Sequence, residues 1–469
     1  GTRCRRNMKH TKEYGERKGN RRMEERTSST LMTEGPIWKR IIFFAIPIFL
    51  GNLFQQMYNT ADSLIVGNFL GSNALAAVSS SGNLIQLMIG FFNGIALGAG
   101  VVIARYFGAR DSEHVEKAVH TTVAFGIVAG IILTIVGVFF APQILVWMKT
   151  PENVMPESTA YFRVYFMGSL GFVMYNMFVG ILQAVGDSRH PLYYLILSSV
   201  VNVVLDITFI TVFGMGVEGA ALATDISQLV SAILCMIQLI RSKAEYRLRL
   251  RRIRFEWDIF KQVVQFGLPS GIQNSIISIA NVVVQSNINS FGEMAMAGCG
   301  AYSKIEGFGF LPITSFTMAL TTFVGQNLGA KDYERTKKGA RFGIACAMIL
   351  AELIGIVIFI AAPVFTAAFD RTPEVILFGT ERARTAALFY CLLAYSHSVA
   401  AVLRGAGKAV IPMFVMMIFW CVIRVAVLTA VSALIPSIAV VYWIYPLTWT
   451  LSSIAFFIYY KKANWLYSF

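Results

Sequence analysis

Apolar residues in this chain come in long, nearly unbroken runs such as Ile41–Leu53, Thr121–Ala141 and Ile344–Ala362. Alternation with a period of two is absent, which argues against a β-barrel. A run of about 20 apolar residues crosses a bilayer as a helix, because lipid offers the backbone no hydrogen-bond partner outside the helix itself. The pattern therefore predicts an all-α membrane protein with twelve transmembrane helices. Their expected positions are 41–66, 74–103, 118–140, 160–183, 191–213, 218–240, 261–290, 296–324, 339–362, 382–403, 411–434 and 439–460.

The polar segments between these runs repeat. Phe107-Gly-Ala-Arg-Asp after the second span returns as Leu328-Gly-Ala-Lys-Asp after the eighth, and Gly108 to Gly329 is a shift of 221. The same shift carries Gly71 to Gly292, Ala141-Pro142 to Ala362-Pro363, Arg163 to Arg384, Gly186 to Gly407 and Pro191 to Pro412. A constant shift over this length marks an internal duplication. The expected organisation is a disordered basic cytoplasmic tail over 1–31, a six-helix lobe over 32–240, a basic linker over 241–260 and a second six-helix lobe over 261–469. Six spans per half is an even number, so the lobes share an orientation and are related by a pseudo-two-fold along the membrane normal. Parallel repeats of this kind characterise rocking transporters with substrate bound between the halves.

Composition agrees: of 469 residues, 56% are hydrophobic and only 14% charged. The net charge of +14 suggests nucleic acid at first sight, but its placement between apolar runs makes it a topology signal. Arg105, Arg110, Lys117, the stretch 241–261, Lys331–Arg341, Arg404, Lys408, Lys461 and Lys462 fall on one face, opposite loops that carry chiefly Lys149 and Arg371. The positive-inside rule puts the rich face and both termini in the cytoplasm, in a multi-pass cell-membrane protein with no nucleic-acid partner. The first 31 residues hold ten Lys/Arg against four Glu without apolar periodicity, and Met32 is a plausible translation start. Six cysteines, none in a Cys-x-x-Cys pair, read as packing residues. Neither a His-x-x-x-His pattern nor a phosphate-binding glycine loop occurs, so an enzyme is not expected.

Within the apolar runs, ionisable residues are the functional candidates, because a charge facing lipid costs at least a few kcal/mol. Asp62 lies near the outer end of the first span. Asp206 lies in the outer half of the fifth, Asn202 sits one turn away on the same face, and Thr224 is about 9 Å into the sixth at 1.5 Å per residue. Two carboxylates, an amide and a hydroxyl at one depth can ligate Na⁺ or share a proton. No other metal and no cofactor is implied. Asp225 points about 100° away from Thr224 and ranks below the four. By the repeat, Asp62 maps to Val283 or Val284 and Asp206 to Val427, so only the first half carries this cluster. The second half has Lys304, Glu306, Glu352 and Arg424, for which mutual ion pairing is expected, and His397, a secondary titratable candidate. Met174, Tyr175, Met177, Phe178, Met318, Tyr390 and Tyr395 are candidates for an adaptable pocket.

The chain resembles the multidrug and toxic compound extrusion (MATE) family. The likeness runs from Met32 to about Lys462 and rests on Thr33-Glu-Gly-Pro, Pro47, Asp62, the paired Gly-Ala-Arg/Lys-Asp loops, the Gly186 and Arg404-Gly-Ala-Gly loops, and Asn202-x-x-x-Asp206 followed by Thr224. It is nearest to the prokaryotic DinF-like branch, in which the matching Asp, Asn, Asp and Thr form a first-lobe cation or proton site. The resemblance implies two lobes about a V-shaped cleft, and a monomer that exports small cationic amphipathic molecules in exchange for inward Na⁺ or H⁺. Another branch uses acids in spans seven and ten. Here Ile277, Asn281 and His397 occupy that region, which argues against second-lobe coupling. A lipid-linked saccharide flippase of the same superfamily is the rival transporter, kept open by Arg424 and Lys304, and a membrane-embedded receptor or enzyme is the rival of another class.

Overall fold

A computed structural model describes residues 31–70, 72–147, 152–153 and 155–467. The expected basic tail lies, but for Leu31, outside the described residues, as do Gly71 and Lys149. The first half comprises α1 (Ile37–Leu70), α2 (Ser72–Gly108), α3 (Ser112–Trp147), the pair α4 (Met155–Met167) and α5 (Ser169–Ala184), α6 (Arg189–Ile207) and α7 (Val217–Arg241). The second comprises α8 (Trp257–Asn289), α9 (Glu293–Gly329), α10 (Tyr333–Phe369), the pair α11 (Pro373–Ala387) and α12 (Tyr390–Gly405), α13 (Val410–Met416), α14 (Arg424–Leu434) and α15 (Ile438–Lys462). π-helical turns at Thr208–Val212 and Met417–Ile423 extend α6 and join α13 to α14 into one span.

Among the described residues, nine spans are long and apolar enough to cross a bilayer, and two more arise from the bent pairs α4–α5 and α11–α12. The remaining one of the twelve expected spans is α8, which is 33 residues long but carries Gln262, Gln265, Gln273, Asn274 and Asn281. Several of these face protein instead of lipid. Asn274 Nδ2 donates to the Gly90 carbonyl at 3.0 Å, and Gln262 pairs with the Tyr106 hydroxyl at 3.0 Å. A helix that packs one face against the other half has no need of a lipid-compatible surface all round.

The duplication is structural as well as sequential. Helix boundaries recur at the 221-residue shift: Ser72 and Gly108 match Glu293 and Gly329, Ala184 matches Gly405, and Val217 and Arg241 match Ile438 and Lys462. The bent pairs kink by 49° and 55°. The recurring loop motif has a local explanation. Arg110 and Lys331 adopt φ of 57° and 59°, and the Asp111 and Asp332 amides reach back to the Tyr106 and Asn327 carbonyls. This left-handed cap satisfies the orphan carbonyls at a helix end. The following Asp then opens the next helix, with Asp111 Oδ1 accepting from the His114 amide and Asp332 Oδ1 from the Arg335 amide.

The glycines of the motif serve the contact between halves. A Cβ at Gly108 would overlap the Gln326 carbonyl of α9, and one at Gly329 would overlap the Arg105 carbonyl of α2. Gly94 and Gly98 of α2 meet the backbone at Gly271 and Gly267 of α8 just as closely. Gln326 Nε2 donates to the Ala184 carbonyl at 2.7 Å, and Gln326 Oε1 accepts from the Met32 amide at 2.8 Å. All these contacts lie in the portions of α2, α8 and α9 nearest the basic loops. The two halves are thus sealed at the basic-loop face and joined there backbone to backbone, which only glycine permits.

Candidate functional site

Beyond that seal the halves enclose a cleft of about 760 Å³. Its walls come from α1, α2, α4, α5, α6 and α7 on one side and from α8, α9 and α12 on the other. Tyr58, Tyr161, Tyr165 and Tyr175 give the first-half wall an aromatic surface, while Thr314, Thr317, Thr321 and Thr322 line the other. Among the described lining residues only Asp62 and Arg404 are charged.

Asp62 lies about two turns from the far end of α1 and points from the cleft wall towards α6. Its carboxyl group comes within hydrogen-bonding reach of that of Asp206, which is wholly buried one residue before the end of α6. Asn202, one turn earlier on the same face, is also wholly buried, and its Nδ2 lies 3.5 Å from Thr224 Oγ1 on α7. Thr224 Oγ1 in turn donates to the Ala220 carbonyl at 3.1 Å. Among the described residues no donor reaches Asp62 Oδ1, either carboxyl oxygen of Asp206, or Asn202 Oδ1. Four buried oxygens on adjoining turns with no donor form a strongly electron-rich locus. Two facing carboxylates cannot both stay ionised in such a place without a proton or a cation between them. The donor set is all hard oxygen, the kind that suits Na⁺. No cluster of three His, Cys, Asp or Glu that could hold a transition metal occurs among the described residues.

The other candidates separate from this locus. Asp225 turns to the α4–α5 bend, where it packs against Gly168 and interacts with its backbone N–H. His397 is wedged between Phe310 and Trp420, with ring centroids 4.9 and 5.1 Å away. The expected ion pairing among the second-half charges is not found. Lys304 is exposed, Glu352 accepts from the Cys391 amide at 3.0 Å, and Glu306 accepts from the Tyr302 hydroxyl at 3.1 Å. Arg424 instead lies over the Tyr445 ring at 4.5 Å and donates to Thr448 Oγ1 at 2.9 Å. Aromatic faces and a hydroxyl hold this guanidinium where a carboxylate was expected. Of the Met and aromatic pocket candidates, Tyr175 and Met318 line the cleft, whereas Met174, Met177, Phe178 and Tyr390 are core residues. Tyr58, Tyr161 and Tyr165 had no distinguishing signal, since which face of a helix meets the cleft depends on how α1 and α4 pack.

Two pseudo-symmetric bundles of membrane-spanning helices, sealed at one face around a polar cleft, define a membrane transporter. The chain belongs to the MatE family, whose model matches residues 47–208 and 269–447, once in each half. It is 27% identical to the probable multidrug resistance protein YpnP of Bacillus subtilis (strain 168), over 92% of this chain and 97% of that one. It is 28% identical to the probable multidrug resistance protein YoeA of the same organism, over 80% and 83%. Among solved structures, an outward-facing multidrug resistance MATE family transporter of the MOP superfamily superposes with a TM-score of 0.85 at 25% identity, covering 92% of this chain and 96% of that one.

Proposed function

We propose that this chain is a secondary active antiporter of the DinF-like branch, exporting cationic amphipathic small molecules from the cytoplasm in exchange for inward Na⁺ or H⁺. In this reading residues 32–240 and 261–469 act as the rocking units about the 241–260 linker, with both termini cytoplasmic. The cleft then opens to the outside in the form described. The observation that carries the reading is the Asp62–Asp206 pair, two facing carboxyl groups of which Asp62 Oδ1 and both Asp206 oxygens meet no donor among the described residues. Loading this pair, with Asn202 and Thr224 completing the oxygen set, changes the local charge by one unit. It thereby favours one of two arrangements of α1, α6 and α7, and a ligand shifts such an equilibrium only by its differential affinity for the two. A monovalent cation moving inward gains about 2.3 kcal/mol per 100 mV, enough for modest drug accumulation against a gradient.

The flippase reading requires a basic cleft. Arg424 is buried inside the second half and Lys304 is exposed elsewhere, so neither lines the cavity, and the one cation among its described lining residues, Arg404, is offset by the acidic Asp62.

The test is efflux of an organic cation from proteoliposomes under separately imposed Na⁺ and H⁺ gradients. Acceleration by one gradient is expected, and equal rates with and without both would remove the antiporter. In the same assay His397→Gln is expected to slow efflux by no more than about threefold. Loss of proton coupling in that variant alone would move the site to the second half.

A further inference from the structure

Arg404 is a half-buried cation that lines the cleft, and the protein around it does not pair its charge. It sits one residue before the end of α12, on the floor of the cleft, next to the sealed face. Its Nε is buried and has no hydrogen-bond partner, and among the described residues no carboxylate lies within 4 Å of its guanidinium and no carbonyl or hydroxyl accepts from it. Two guanidiniums more deeply buried than this one each find an acceptor: Arg382, whose Nε is likewise unpartnered, donates through Nη1 to the Cys299 carbonyl at 3.3 Å beneath two tyrosine rings, and Arg424 donates to Thr448. A guanidinium that faces a cleft with its Nε buried and unpartnered is left with donors for a ligand in that cleft to satisfy. The repeat sharpens the contrast, because position 404 corresponds to Gln183, which also lines the cleft at the end of α5. A neutral amide therefore occupies the first-half side of the floor and a guanidinium the second-half side. The carbonyl end of α12 lies beside Arg404, a setting that favours a fixed positive charge.

We infer that Arg404 is a specificity-determining residue that receives a carboxylate on the transported molecule, so that the cleft accepts amphoteric substrates as well as simple cations. This rests on the antiporter reading above. A guanidinium presents parallel N–H donors that match the two oxygens of a carboxylate. Arg404 and Asp62 lie on different helices and different halves, so the carboxylate and the coupling cation occupy separate places. The cationic end of the same molecule is left for the tyrosine wall of the first half.

The experiment compares two dyes that differ at a single group. Rhodamine 110 carries a free carboxylate, and rhodamine 123 is its methyl ester. Initial efflux of each from proteoliposomes of the full chain gives the ratio of kcat/KM for acid over ester. Arg404→Gln, which copies the residue at the related position of the other half, is expected to lower that ratio about tenfold or more, the loss of one charge-assisted pair. Arg404→Lys keeps the charge without the fork and is expected to fall between the two. Reconstituted protein is quantified for each variant, so a folding defect lowers both dyes together and leaves the ratio readable. A ratio in Arg404→Gln within twofold of wild type overturns the inference, as does a wild-type protein that exports the ester and excludes the acid. A wild-type protein that moves neither dye under any gradient overturns the antiporter reading itself, and the role of Arg404 with it.

Discussion

Asp62→Asn is expected to lower gradient-driven efflux by about a hundredfold, the upper end of ordinary coupling between two sites. Asparagine keeps the shape of the side chain and still fills the space between α1 and α6, so insertion and folding are retained. It cannot take up a proton, and it removes one of the two charges that would bind Na⁺. Asp206 is left facing an amide, and that amide can donate to its unpartnered oxygens. The site is then satisfied without any ion, and ion binding no longer distinguishes the two arrangements of the lobe. Asp206→Asn should behave alike. The double variant should be no worse than either single one, because groups that act as a unit do not add. The measurement is organic-cation efflux under imposed Na⁺ and H⁺ gradients, with membrane insertion checked in parallel. Wild-type rates in Asp62→Asn would take this residue out of the mechanism.

Locking the sealed face is expected to stop transport outright and reversibly. A Cβ at Gly325 of α9 would lie 3.2 Å from the Cβ of Ala104 on α2, slightly under the usual separation in a disulfide. Ala104→Cys combined with Gly325→Cys should therefore cross-link under mild oxidant. The bond would tie the halves together where alternating access needs them to part. Efflux should fall to background on oxidation and recover with reductant, and neither single variant should respond. Native Cys346 and Cys391 are free and half-buried, so the parent protein treated with the same oxidant is the control for non-specific oxidation. Full activity in the cross-linked protein would show that the seal between α2 and α9 does not open during transport.

Much of this architecture is legible in the residues because lipid imposes a simple rule: backbone polar groups must be satisfied within each span, so apolar length reports the helices. The duplication was legible for a similar reason. Gly108 and Gly329 mark helix crossings, Arg110 and Lys331 take left-handed caps, and Asp111 and Asp332 start the next helix, each a local requirement that fixes residue type. The polar α8 fails a test of apolar length among the described residues because its neighbours are the other half of the protein. Charges were less readable. Arg424 and Glu306 looked like ion-pair partners, but Arg424 rests on aromatic rings and a hydroxyl, and Glu306 takes a tyrosine hydroxyl.

By itself, the sequence determined that this protein is a duplicated, membrane-embedded helical bundle, and it marked Asp62, Asn202, Asp206 and Thr224 as polar groups at a common depth. Depth follows from counting residues at a fixed rise, so it needs no tertiary information. The rotation of each helix about its axis, and which neighbour it meets, depend on packing between segments far apart in the chain. Only the tertiary structure decided that Asp62 faces Asp206, that Asp225 turns away to Gly168, that the tyrosines of α1, α4 and α5 form one wall, and that Arg404 stands on the cleft floor with no acceptor for its Nε among the described residues.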